Sequence, residues 1–142
     1  MLFVILENQF YIEMPTPKTY GLTHIALAVA NLDSTRLFYE KVFDMQVMYV
    51  TESFIQMTTP GCSDIIVFEK KDPVHSQNTG GIAHFGFRLK SAKDITEMIN
   101  TIVSAGGIII EQGEFVPGSP YAFFKDPDGY TVEIWYEFID AD

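Results

Sequence analysis

Two stretches of this chain open alike, and nothing else in the sequence limits its fold so strongly. Gly21-Leu22-Thr23-His24 is followed by Ile25-Ala26-Leu27-Ala28-Val29, and Gly81-Ile82-Ala83-His84 by Phe85-Gly86-Phe87-Arg88-Leu89. Each is a glycine, an apolar residue, a small residue and a histidine, leading into an alternating strand, a polar turn and a helix. The first helix is expected from Asp33 or Ser34 as N-cap to about Phe43, with Leu37, Phe38 and Val42 as its apolar stripe. The second has Ser91 as its candidate cap and buries Ile95, Ile99, Ile102 and Val103, and Ala105-Gly106-Gly107 stops it. Three short strands follow each helix, at about 45–52, 53–59 and 64–70, then at about 107–116, 120–125 and 130–137.

The order is therefore βαβββ, twice, with the polar linker Lys70 to Gly81 between the copies. A half of this size cannot bury its own apolar face, so the two must pair. The expected class is α+β: tandem βαβββ modules, about 20–71 and 81–137, curled around a concave surface within one domain, about 20–140. Residues 1–19 are left as an N-terminal arm or an extra strand, and Pro15 and Pro17 mark the boundary.

At 142 residues there is room for one domain with a real core, and an apolar content of 47% is enough to fill it. A net charge of −10 argues against nucleic acid or an anionic membrane as partner. Cys62 is the one cysteine, which rules out an internal disulfide and a cysteine-cluster metal site and agrees with a cytoplasmic protein. The N-terminus has no basic segment and its apolar run stops at Glu7, so neither a signal peptide nor a membrane span is expected.

Strand parity places the histidines. His24 shares a face with Ala26 and Ala28, and His84 with Gly86 and Arg88; the large apolar side chains take the opposite faces, towards the helices. Small neighbours leave space in front of both imidazoles, which a pocket needs and a packed core avoids. After the turn Asp126-Pro127-Asp128-Gly129, Glu133 falls with Thr131 and Trp135, away from Val132 and Ile134. A carboxylate so placed faces water, a partner or a cation. His24, His84 and Glu133 converging on one cavity would bind a divalent metal with open coordination positions, such as iron(II), manganese, nickel or zinc.

The paired βαβββ units, the histidine at each opening strand and the closing Asp126-Pro127-Asp128-Gly129-Tyr130-Thr131-Val132-Glu133-Ile134-Trp135 together resemble the vicinal oxygen chelate superfamily. It holds glyoxalase I, extradiol dioxygenases, methylmalonyl-CoA epimerase, fosfomycin-resistance enzymes and the metal-free bleomycin-resistance proteins. The resemblance covers about residues 20–137 and implies His24, His84 and Glu133 as metal ligands and a homodimer as the assembly.

Departures from the family narrow the reaction. The fourth ligand of glyoxalase I would be a glutamate in the last strand of the first half, where this chain has Ile66, or with a shift Ile65 or Val67. The pocket tyrosine of extradiol dioxygenases is Phe123 here, and Tyr121, two residues earlier on the same face, is the candidate replacement as a catalytic group beside Glu133. The fosfomycin-resistance pattern has a threonine where Ala26 stands and an arginine beyond the glutamate, where this chain ends in Ile139-Asp140-Ala141-Asp142. The epimerase pattern would use Gln56 as ligand and Glu52 as base.

Arg88 can pair with a substrate carboxylate or phosphate, and Phe123, Trp135 and Gln56 complete the substrate-binding candidates. His75 reads as a surface linker residue and Cys62 as an inert turn residue. The expected function is a metal-dependent enzyme acting on a small substrate with vicinal oxygens, by dioxygenase-like or lyase/isomerase chemistry. The alternative is a non-catalytic small-molecule-binding protein of the bleomycin-resistance kind, or a dimer whose metal only stabilises the fold.

Overall fold

The computed structural model describes residues 3–6, 9–12, 19, 21–72 and 79–138. Strands β1 (Phe3–Leu6) and β2 (Gln9–Ile12) pair with each other in a separate antiparallel ribbon. The first module is β3 (Ile25–Val29), α1 (Leu32–Phe43), β4 (Gln46–Val50), β5 (Phe54–Thr58) and β6 (Ile66–Lys70). The second is β7 (Phe85–Arg88), a 3₁₀ turn (Ala92–Asp94), α2 (Ile95–Ser104), β8 (Ile108–Glu114), β9 (Pro120–Lys125) and β10 (Thr131–Trp135). The two βαβββ copies expected from the repeat are both present.

Each module makes one four-stranded sheet of the same topology, β3-β6-β5-β4 and β7-β10-β9-β8. The opening strand pairs parallel with the closing one, and every other pairing is antiparallel. Each sheet carries one irregularity at the same place, between Val47 and Tyr49 in β4 and between Ile109 and Glu111 in β8. An inserted residue there reverses the side-chain alternation beyond it.

The helices differ in detail from the sequence expectation. The cap of α1 is Asn31, whose Oδ1 accepts the Ser34 amide at 3.0 Å; Asp33 and Ser34 fall in the first turn, where Asp33 complements the helix dipole. The buried stripe of α1 is Thr35, Phe38, Tyr39 and Val42, spaced three, four and seven residues apart, and Leu37 lies off it, 57% exposed. In α2 the stripe is Ile95, Met98, Ile99 and Ile102, so Val103 is turned to solvent. Ser91 precedes the 3₁₀ turn without a side-chain capping bond. Gly106 takes a left-handed φ of 101° to end α2, and Gly107 packs so close that a Cβ there would meet Ile102 Cγ2 at 2.5 Å.

One core runs through both modules: Leu27, Phe38, Tyr39 and Phe68 of the first are continuous with Ile102, Phe124, Val132 and Ile134 of the second. Helix α1 reaches across, with Phe43 stacked on Phe87 at 3.8 Å and Phe38 against Phe124. The Asp126–Gly129 turn is tied to the other half by side chains. Tyr39 donates its hydroxyl to Asp126 at 2.7 Å, Thr35 to Asp128 at 2.7 Å, and Tyr130 to the Ala28 carbonyl at 2.9 Å. Asp126 Oδ1 also accepts the amides of Asp128 and Tyr130. Those contacts fix where β10 begins, and hence where Glu133 stands. No helix among the described residues is long and apolar enough to cross a membrane.

Candidate functional site

With the helix-side faces buried in the core, the other face of each sheet is open. Matched rows cross these faces. In the first sheet Ala26, Val67, Gln56 and Tyr49 lie side by side; in the second, Gly86, Glu133, Phe123 and Glu111. The equivalent of Glu133 is therefore Val67, one of the two shifted alternatives to Ile66. The residue there is apolar either way, and the position of a fourth carboxylate ligand is filled by a 7% exposed valine.

Glu133 and His84 meet. Glu133 Oε2 lies 3.5 Å from His84 Nε2, and Gly86 leaves the space the carboxylate occupies: a Cβ at Gly86 would come within 3.4 Å of that oxygen. Partial burial raises the Glu133 carboxyl above its ordinary value, and the His84 imidazole pulls it back down. Two atoms bound to one divalent ion at about 2.0–2.2 Å, at a tetrahedral angle, stand about 3.3–3.6 Å apart. The observed separation fits that spacing, and the nitrogen–oxygen donor set suits iron(II), manganese, nickel or zinc.

His24 stands just before β3, the outer strand of the other sheet, and shares its Nδ1 with the Thr23 hydroxyl at 2.8 Å. With Leu22, Ile66, Phe85, Gly86 and Phe87 it lines a cavity of about 280 Å³ at the seam between the modules. The three expected ligands do not close up within one chain: among the described residues no group of three or more His, Cys, Asp or Glu side chains is placed to hold a metal ion. His84 and Glu133 come together because β7 and β10 are paired neighbours; no strand pairing holds His24 against them.

An aromatic wall extends from the pair. Phe123 sits edge-on to His84 at 5.1 Å and to Tyr121 at 5.7 Å, and Phe115 stacks on Tyr121 at 4.2 Å. The Tyr121 hydroxyl does not point at Glu133. It donates to Glu111 at 2.7 Å, and that bond raises the phenol above its ordinary value, keeping it protonated at neutral pH. Strict alternation along β8 puts Glu111 on the core face with Ile109; the irregularity at Ile110 turns it outward, which is why sequence periodicity misses it.

Arg88 is exposed beside Trp135, its register partner, and makes no ion pair among the described residues. Trp135 also borders a cleft of about 480 Å³ with Phe115, Val116, Pro117, Tyr136 and Phe138. Gln56 lies on the open face of the first sheet, opposite Val67. Glu52 is exposed in the β4–β5 turn, in a cleft at the N-terminus of α1 with Asn31, Asp33 and Lys70. Cys62 is exposed in a turn, and His75 lies outside the described residues.

Comparison with known proteins bears on this geometry. The sequence pattern of the Glyoxalase/Bleomycin resistance protein/Dioxygenase superfamily matches residues 21–134. A putative lactoylglutathione lyase of Brassica oleracea var. gemmifera is 28% identical over 139 residues, covering 90% of this chain and 48% of its own. A lactoylglutathione lyase of Arabidopsis thaliana is 27% identical over the same shares, so the chain spans about half the length of these relatives. The fosfomycin resistance protein FosX from Listeria monocytogenes has the same fold, with a TM-score of 0.72 at 21% identity over 86% of this chain and 97% of that one. The chain belongs to the glyoxalase/bleomycin resistance protein/dioxygenase superfamily.

Proposed function

We propose that this protein is a divalent-metal-dependent enzyme that acts on a small substrate bearing two vicinal oxygens. The observation that carries the reading is the His84–Glu133 pair, 3.5 Å apart over Gly86 on an open sheet face. His24 is the third ligand in this reading, supplied across the seam of its own chain or by a second copy. A bound divalent ion supplies Lewis acidity and open positions for the substrate oxygens. The chain's own residues do the rest: Glu133 and His84 fix the donor geometry, Phe123 shields one side from water, and Arg88 is available to a substrate anion.

Val67 in the place of a fourth ligand leaves three protein donors and a more open site than a four-ligand lyase has. Phe123 in the place of a pocket tyrosine removes the hydroxyl expected for ordinary ring-opening of catechols. The reaction class is therefore dioxygenase-like or lyase/isomerase, on a substrate other than simple catechol. A homodimer suits the same reading, because the outer strands β4 and β8 expose Met48, Tyr49, Val50, Ile108 and Ile110.

The test is metal content after reconstitution with manganese, nickel, zinc or iron(II), in the parent and in His24→Ala and His84→Ala. About one ion per chain in the parent, with loss of stoichiometric binding in both variants and an unchanged oligomeric state, is the expected result. A parent that binds no metal would sink the proposal and favour the non-catalytic binding protein.

A further inference from the structure

The open face of the second sheet holds a second polar pair that the metal reading does not use. Glu111 lies in the same row as Glu133, with Phe123 between them. Two interstrand spacings separate the two glutamates, about 9.5 Å between their backbones. Three features hold Glu111 and Tyr121 in place. The irregularity at Ile110 turns Glu111 to this face. Gly113, opposite Tyr121, makes room for the phenol, since a Cβ there would meet its ring and hydroxyl at 3.2–3.4 Å. Phe115 stacks on the ring at 4.2 Å, with an interplanar angle of 16°. The Glu111–Tyr121 bond is exposed, so both polar groups stay accessible to a ligand on this face.

We infer that Glu111 and Tyr121 form the far wall of the substrate site: a carboxylate and a phenol that receive a cationic or hydrogen-bond-donating group of a ring-bearing substrate lying over Phe123. The inference rests on the metal reading for the near wall. Phe123 makes the link, because one ring touches both His84 and Tyr121. A substrate with oxygen donors at one end thus meets His84 and Glu133, and an ammonium, amine or hydroxyl at its other end meets Glu111. Arg88, on the neighbouring row with Trp135 and Tyr121, is the competing anchor and predicts the opposite preference, for an anionic end.

Two probes that differ only in that end decide between them. Manganese affinity is measured first. Dopamine and 3,4-dihydroxyphenylacetate are then titrated calorimetrically, without oxygen, into manganese-loaded parent, Glu111→Gln and Tyr121→Phe. The parent is expected to bind dopamine at least fivefold more tightly. A net charge of −10 favours any cation, so the decisive result is that Glu111→Gln lowers the ratio several-fold with manganese affinity unchanged. Tyr121→Phe should fall between. Equal or reversed preference in the parent, or a preference undiminished in Glu111→Gln, would overturn the inference. If manganese does not bind, the same titrations are made with nickel, zinc or iron(II); if no ion binds, the metal reading fails, and tyramine against 4-hydroxyphenylacetate on the metal-free protein judges the pair alone, where equal binding would overturn it.

Discussion

Replacing Tyr39 by Phe tests whether the contact between Tyr39 and Asp126 holds the two modules together. The substitution keeps a ring that packs at 4.8 Å on Phe68 and 5.4 Å on Phe38, and removes only the hydroxyl that donates to Asp126 at 2.7 Å. Tyr39 is fully buried and Asp126 is 4% exposed, so water does not replace the lost donor. Burial pushes the Asp126 carboxyl from the usual 3.8 up to about 6, against the pull of the Tyr39 hydroxyl and two backbone amides. Because this native value is raised, the carboxyl's proton stabilises the fold. That contribution, about 3 kcal/mol, is complete below the unfolded value and is lost as pH rises through about 6.

The penalty of Tyr39→Phe must then depend on pH. At pH 7.5 the carboxylate is ionised and loses a charge-assisted hydrogen bond worth about 1.5–3 kcal/mol. At pH 5 it is protonated and loses a neutral one, about 0.5–1.5 kcal/mol. An unfolding entropy of about 2.1 cal/mol/K per residue gives about 0.3 kcal/mol/K for 142 residues. Tm should therefore fall by about 5–10 °C at pH 7.5 and about 2–5 °C at pH 5. Calorimetric melts of both proteins in chelator separate this effect from any metal. Equal losses at the two pH values, or a loss under about 2 °C at pH 7.5, would refute the assignment of Asp126 as an ionised acceptor.

Two further predictions concern the metal. Because burial raises the Glu133 carboxyl, a metal held by it should be released at a higher pH than by an exposed glutamate; manganese affinity, titrated from pH 8 downwards, should weaken before the ordinary glutamate value of 4.5 is reached, and a flat profile to that point would contradict it. Val67→Glu supplies a carboxylate at the equivalent of Glu133 and should tighten nickel or manganese binding at least tenfold; unchanged affinity in a folded variant would mean that the two rows do not face one ion.

The fold was legible because its signals are periodic. Alternation across 25–29 and 85–89, the helices after them and the Asp126–Gly129 turn are local, and repetition checks each against the other. Leu37 and Val103 are exposed although periodicity reads them as buried, because an apolar residue about 100° off a helical stripe looks like one on it. The His84–Glu133 contact was legible only on the condition that the closing strand packs beside the opening strand of its own module, and the pairing of β10 with β7 meets that condition. Glu111 was not: a single inserted residue reverses parity without leaving a composition signal. Nor could spacing say how near His24 comes to the other two, since that depends on how two separately paired sheets meet.

The matched rows also show how a duplicated fold acquires an asymmetric site. Ala26 and Gly86 are both small, so the floor beneath each row is conserved in kind between the halves. Beyond that floor the halves part: Val67, Gln56 and Tyr49 against Glu133, Phe123 and Glu111. Both carboxylates and the aromatic wall thus lie on one half, while the other contributes neutral side chains and one histidine. In the proposed metal reading, a substrate lying over such a row has one orientation that brings its oxygen donors to the ion His84 and Glu133 would hold, whereas two identical rows would offer two. The repeat builds two equal frames, and the changes at three positions in one of them give the site a direction.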